Sequence, residues 1–256
     1  MSKTSIILLT WNCLEYTKKC ILSLAEYTPD SDYELIIVDN GSKEETIFYL
    51  KLLDKIGETR VIFNKKNMGS PYAWNQGIKI AKHDYIAIVD NDTMFTPNWL
   101  VYLQDCFKEN KDCGVTSPTT CFCGGNRCDK EIQEKRFEMT QKDMNDYAKT
   151  LKKGYIDCHL FGFCFLTHKK VIDKIGVFDW KRYGIGTYEE RDFFWRAQKV
   201  GFKTYWTTHS YVHHYGHMTF KSENIDVNKV HDKNRVIFDK RKKNDKNLFI
   251  ENDVEV

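Results

Sequence analysis

Residues 85–93 read YIAIVDNDT, a run that is apolar on five consecutive positions and then ends in Asp90, Asn91 and Asp92. Consecutive rather than alternating apolar residues are what a strand covered on both faces requires, and strands of that kind belong to parallel sheets. Asp90 and Asp92 then fall just beyond the strand's carboxyl end. In an open parallel sheet this is where loops and helix N-termini converge on a ligand without blocking the core.

The same rhythm precedes this run three times, at SIILL (5–9), ELIIV (34–38) and RVIF (60–63). Between the runs lie segments of helical spacing. LEYTKKCILSLAEY (14–27) sets Leu14, Cys20, Ile21, Leu24 and Ala25 near one face, and SPYAWNQGIKIA (70–81) does so with Ala73, Trp74, Gly77, Ile78 and Ala81. Strand and helix in alternation predict an α/β fold, a mostly parallel sheet flanked by helices as an α/β/α sandwich. The run at 34–38, like that at 85–89, ends in an aspartate, Asp39.

Further along, the pattern predicts a helix from Pro97 through Asn110, a strand near CGVTS, and a polar insertion over 119–155 with a helix around 129–152. A strand at FGFCFLT (161–167), a short helix at HKKVIDKIG and a helix at YEERDFFWRAQKVG closed by Gly201 complete the pattern. The domain is read as 1–220, with 119–155 as a variable acceptor-side insertion, and 221–256 as a basic, helical C-terminal tail that includes DKRKKNDKN (239–247).

Composition narrows the class. With 256 residues, 41% hydrophobic, 14% aromatic and 29% charged, the chain suits one sizeable folded domain. A net charge of +3 is too small to argue for nucleic acid as a partner. No stretch is apolar enough to predict a transmembrane segment and no signal pattern opens the chain, so a cytoplasmic location is expected, with peripheral membrane contact through the basic tail left open. Nine cysteines, several inside apolar runs, read as reduced thiols. Cys121, Cys123 and Cys128 lack the paired spacing of a zinc site and read as loop thiols.

An Asp-x-Asp at a strand end suits a hard divalent cation, because magnesium and manganese take oxygen ligands and need few carboxylates when a diphosphate supplies the rest. A polar turn is the competing reading of these three residues alone. TWN (10–12), VDNGS (38–42), NKKNMGSPYAWNQG (64–77) and VDNDT (89–93), in this order after four successive strands, resemble the nucleotide-diphosphate-sugar domain of the inverting glycosyltransferases called family 2, which have the Rossmann-like GT-A fold. The resemblance extends through GFCFLTHKKVIDKIGVFD (162–179), GTYEERDFFWRAQKVGF (186–202) and VHHYGHMTF (212–220).

That resemblance implies roles. Thr10, Asn12 and Asp39 match the nucleoside pocket, with Asp39 accepting from a base imide, as suits uracil in a UDP-sugar; Asp39 and Ser42 could also cap the helix that starts near Lys43. Asn67, Gly69 and Asn75 match positions near the nucleotide, Gly69 allowing close backbone approach. Asp90 and Asn91 lie against the ribose or sugar in the matching motif, Asp92 binds Mn2+ or Mg2+, and His214 is the histidine, among His213, His214 and His217, that aligns as a further ligand. The family's general base is the second acid of an E-D pair six residues before an arginine; here the pair is Glu189-Glu190 and the arginine Arg196, so Glu190 takes the role, with Asp192 as the fallback. Thr187-Tyr188-Glu189-Glu190 also fits a capping box in which Glu190 would bond back to the Thr187 amide.

The resemblance implies a metal-dependent glycosyltransferase of hexosyltransferase type. Its donor would be a nucleotide sugar; glycan, lipid, protein and modified nucleic acid stay open as acceptors. A sugar nucleotidyltransferase would need a glycine-rich basic loop after the first strand, where this chain has LTWNCLEY (9–16). A dehydrogenase would need G-x-G-x-x-G there. A non-catalytic sugar-nucleotide or carbohydrate binding module is the rival from another class, because the second acid of the pair is glutamate rather than aspartate.

Overall fold

The computed structural model describes residues 2–57, 59–123 and 129–256. In chain order its elements are β1 (Thr4–Thr10), α1 (Leu14–Tyr27), β2 (Tyr33–Asp39), α2 (Glu44–Lys55), β3 (Thr59–Phe63), α3 (Ser70–Ile80), β4 (Tyr85–Asp90), β5 (Thr93–Phe95), α4 (Trp99–Glu109) and β6 (Cys113–Thr119). There follow α5 (Lys130–Glu134), α6 (Gln141–Thr150), β7 (Tyr155–Asp157), β8 (Cys164–His168), α7 (Lys169–Ile175), α8 (Trp180–Tyr183), α9 (Glu189–Lys199), β9 (Lys203–His214), α10 (Met218–Ser222) and α11 (Val227–Asn244).

Among the described residues the strands form one nine-stranded sheet in the order β3-β2-β1-β4-β8-β6-β9-β5, with β7 on β9. β1, β2, β3 and β4 pair in parallel, β6 and β9 run the same way, and β8, β5 and β7 oppose them. The fold is the mixed α/β sandwich with a mostly parallel sheet that the sequence rhythm predicts.

Side chains of β1 alternate between the two faces, as the pleat demands. Ile6 and Leu8 pack with residues of α1 and α4, including Leu24, Trp99 and Leu103. Ile7 packs on the other side with Ala73 and Trp74 of α3 and Phe193 of α9. Each fully buried aliphatic side chain of this kind stabilises by about 1.5–3 kcal/mol. Gly77 lets α3 lie close on the sheet, because a Cβ there would stand 2.5 Å from Cγ2 of Ile7.

Register carries the strand tips to one place. Thr10 pairs with Asp39 across β1–β2, and Leu9 with Asp90 across β1–β4, so the two aspartates flank the end of β1. β9 is long and leaves β6 to pair its last residues with β5, which sets His214 opposite Thr93.

The insertion differs from the expected single helix over 129–152. Asp129 caps α5, and a Thr140–Asp143 capping box starts α6 anew, so a turn separates two short helices. Five of the described cysteines, Cys20, Cys106, Cys113, Cys121 and Cys164, are buried; Cys128 lies outside the described residues. Helix α11 does not trail away: Asn234, Phe238 and Arg241 are buried against the domain. No helix among the described residues is long and apolar enough to cross a membrane.

Candidate active site

A cavity of about 420 Å³ opens at the carboxyl ends of β1 and β4. Its floor holds Asp90, Asp92 and His214, each offering a ligand atom within 4.8 Å of the others. His214 Nε2 stands 3.2 Å from Asp92 Oδ1. Its Nδ1 is 3.0 Å from the Phe122 carbonyl oxygen, to which it donates, and its ring stacks on Phe163 at 4.9 Å. With Nδ1 carrying the donated proton, a lone pair on Nε2 faces a carboxylate, and a proton or a cation is needed between them.

Asp92 is fixed by a bond from the Met218 amide to Oδ2 at 3.1 Å. Burial works against its charged form, but His214, by charge and hydrogen bond, holds its carboxyl below the ordinary value. Asp90 goes the other way: burial, then the charge of Asp92, push its carboxyl up to about 8. Two close carboxylates of which one is kept protonated, beside an imidazole nitrogen, form a donor set that a hard divalent cation fits and whose repulsion it would relieve.

Glu190 lines the same cavity. Gly162 makes room for it, since a Cβ there would lie 2.7 Å from Glu190 Cγ. Burial raises the Glu190 carboxyl, opposed by the neighbouring Arg191, whose Nε is 4.0 Å away. The capping box does not form: the N-cap of α9 is Tyr188 at φ 71°, with no side-chain cap bond, so Glu190 is not tied back to Thr187.

Of the other expected residues, Asn67 and Asn91 line the cavity. Asn67 Oδ1 accepts from Asn40 Nδ2 and the Gly69 amide, both at 2.8 Å. Asn91 Nδ2 donates to Thr17 Oγ1 at 2.9 Å. Thr10, Asn12 and Asp39 sit just beneath, buried. Asp39 accepts from the Ser42 amide at 3.1 Å and from Thr10 Oγ1 at 3.3 Å, so it ties β1 to the turn that follows β2. Asn12 presents Nδ2 to Glu223 at 2.9 Å and Oδ1 to the Lys43 amide at 2.6 Å.

Three further expected residues lie outside the cavity lining. Asp192 is fully buried, 2.8 Å from Arg196 Nε and 2.9 Å from Arg241 Nε, on the far side of α9 from Glu190. Asn75 exchanges bonds with both backbone groups of Phe178, at 2.8 and 3.0 Å, and so clips α3 to the loop before α8. Gly69, at φ 90°, lies against the chain, where a Cβ would meet the Gly184 carbonyl oxygen at 2.0 Å.

Several cavity residues were not singled out by the sequence. Trp11 and Asn40 were hidden inside motifs whose neighbours drew the roles. Glu189 also faces the cavity, with Oε2 buried and unbonded and its carboxyl raised well above the ordinary value, by burial first and Glu190 second. Thr219 and Phe220 come from the VHHYGHMTF motif, and Val227, Asn228 and His231 from the C-terminal region, where no local signal marks them. His213, by contrast, turns away toward Tyr211 and the Arg136 carbonyl.

The site is thus a cleft at parallel strand tips with acids and a histidine on its floor. Comparison with known proteins gives the family. The family described as "Glycosyl transferase family 2" matches residues 5–176. The chain belongs to glycosyl transferase family 2 and has the GT-A fold. Among curated relatives, a poly(ribitol-phosphate) beta-glucosyltransferase of Bacillus spizizenii is 35% identical over 112 residues, covering 43% of this chain and 18% of that protein. The poly(ribitol-phosphate) beta-N-acetylglucosaminyltransferase TarP of Staphylococcus aureus is 35% identical over 169 residues, 61% of this chain and 51% of that protein. The matched region thus spans about half or less of these relatives' own length. A crystal structure of GalNAc-T7 with UDP, GalNAc and Mn2+ superposes with a TM-score of 0.65 at 18% identity, over 84% of this chain and 43% of that one.

Proposed function

We propose that the cavity transfers a hexose from a UDP-sugar to an acceptor hydroxyl with inversion at the anomeric carbon. The observation that carries this reading is that the Asp90–Asp92–His214 cluster and Glu190 face one cavity. Asp92 and His214, with Asp90, would hold Mn2+ or Mg2+, which when bound supplies positive charge to the diphosphate.

Glu190 does the chain's own chemistry. Its carboxylate takes the proton of the acceptor hydroxyl as the new C–O bond forms and the bond from the anomeric carbon to the diphosphate oxygen breaks. Burial raises its carboxyl, so it is a stronger base than an exposed glutamate when ionised. Asn67 and Asn91 offer amide groups to sugar or ribose hydroxyls, while Asp39, Thr10 and Asn12 shape the nucleoside end from beneath. The domain proper is proposed to end near 220, with the region beyond it contributing the roof of the cavity.

The test is a donor panel. UDP-glucose, UDP-N-acetylglucosamine and other nucleotide sugars are offered with manganese or magnesium, and release of nucleoside diphosphate is followed. The names of the two curated relatives make poly(ribitol phosphate) the first acceptor to add. Turnover of one UDP-sugar that needs the metal supports the reading. Metal-dependent UDP binding with no turnover on any donor and acceptor favours the binding-module rival.

A further inference from the structure

Immediately before α9 the chain takes an improbable path. Gly184, Gly186, Thr187 and Tyr188 all have positive φ, at 58°, 136°, 68° and 71°. For a β-branched residue such as Thr187 the left-handed region is a true outlier, and such a conformation persists only where the surroundings over-determine it. Thr187 and Tyr188 line the cavity, and Tyr188 is the N-cap from which the helix bearing Glu190 starts.

What holds this loop comes from 47 or more residues further on. Asn234 of α11, 2% exposed, aims its amide nitrogen at three loop carbonyls: Tyr183 at 3.0 Å, Gly186 at 2.7 Å and Thr187 at 3.0 Å. An amide carries two N–H bonds, so two of the three oxygens share one donor, and the loop closes around the side chain. On the far side Ser70 adds an anchor, its amide donating to the Ile185 carbonyl at 3.1 Å.

We infer that Asn234 is a positioning residue for the reaction: it fixes the 183–188 loop and thereby the place of Glu190 at the start of α9. The inference rests on the reading of Glu190 as base. Helix α11 has independent anchors, since Phe238 packs on Tyr183 and Tyr188 and Arg241 Nη1 lies 2.6 Å from Asp179. Removing the Asn234 amide therefore leaves the helix docked on the two ends of the loop while freeing the Gly186 and Thr187 carbonyls between them.

The experiment is a double-mutant cycle on the full chain with the UDP-sugar and metal found to support turnover, beside titration of UDP and a melting curve. Asn234→Ala is expected to lower kcat by about 10- to 100-fold, the effect of displacing a reacting group by about 1 Å, while UDP binding stays within about twofold. In a Glu190→Gln background it should add no further loss, because two changes acting through one group are not additive. Thr187→Gly, which removes the penalty of positive φ, should restore part of kcat to Asn234→Ala. Should the alanine variant not fold, Asn234→Ser, which keeps one donor, takes its place. Losses that multiply in the double variant, or a change confined to KM, overturn the inference. If Glu190→Gln inactivates and Asn234→Ala does not, only the positioning role fails. If Glu190→Gln itself keeps kcat, the base reading fails and the inference with it.

Discussion

The floor and the roof of the cavity are built by different means. The floor is made of strand tips: Asp90 ends β4 and Asp92 lies two residues beyond it, and the pairing of β5 with β9 sets His214 beside them. The roof is made of chain that closes from afar: Thr219, Phe220 and the first turns of α11 lie over the cavity, Glu223 receives Asn12 and Lys43, and Asn234 and Arg241 pin α9 and the loop before it. A sheet delivers side chains to a site by register, which is cheap in sequence distance. A roof assembled from a helix 40 residues away must instead use buried polar bonds, each of them specific and each intolerant of losing a partner.

Two acids two residues apart, on opposite sides of α9, sharpen the contrast most. Glu190 faces the cavity and Asp192 faces the arginines. Glu190→Gln is expected to reduce turnover by about 10²- to 10⁴-fold with UDP binding unchanged. Asp192→Asn is expected to lower the melting temperature first, since it leaves Arg196 and Arg241 short of charge. Equal turnover losses at equal stability would put both acids in the chemistry and erase the distinction.

Arg241→Met tests whether the roof is part of the fold. It takes one buried partner from each of Asp192 and Asp179, leaving them Arg196 and the partly exposed Arg182, and breaking a buried pair costs up to about 3–5 kcal/mol. At about 2–4 °C per kcal/mol for a chain of this size, thermal melting should fall by roughly 6–20 °C. A variant that melts within about 2 °C of the wild type would mean that α11 is an appendage.

The floor should respond to pH where the roof does not. Metal binding needs deprotonated ligands, and the Asp90 carboxyl is pushed up to about 8, while Asp92 raises the His214 imidazolium above its ordinary value despite burial. At pH 6 both therefore hold protons that a cation must displace. Manganese affinity, measured by titration, is expected to rise from pH 6 and to level off above about 8; an affinity flat across that range would argue against these ligands. The smallest effect belongs to Glu223→Gln: its partner Lys43 is largely exposed, and such a pair contributes about 0.2–1 kcal/mol. UDP binding should weaken by no more than about fivefold, more at low salt than at high.

The same contrast explains what the sequence disclosed. Strand runs and their acidic ends are local patterns, so the α/β fold, Asp90 and Asp92 could be read as candidates directly from consecutive residues, while Glu190 comes only through the resemblance of its motif to the family. His214 could be aligned by its motif, yet its nearness to Asp92 depends on the bend of β9, which no local signal encodes. The capping box at 187–190 was a legitimate local reading that tertiary contacts overrode, because Asn234 holds Thr187 and Tyr188 at positive φ. Asp192, two residues on from Glu190, falls on the opposite side of α9 by helical spacing, where Arg196 and Arg241 meet it. Asn234 itself lies in a basic, weakly periodic segment where nothing marks a buried amide.

The most direct test of the central claim, that the floor is a metal-dependent nucleotide site, is calorimetric titration of UDP into the wild type and Asp92→Asn, each with and without manganese. It requires no knowledge of the sugar or the acceptor. UDP binding that depends on manganese in the wild type and is lost in Asp92→Asn is the predicted result; UDP binding that is indifferent to both manganese and Asp92, or absent altogether, would contradict it.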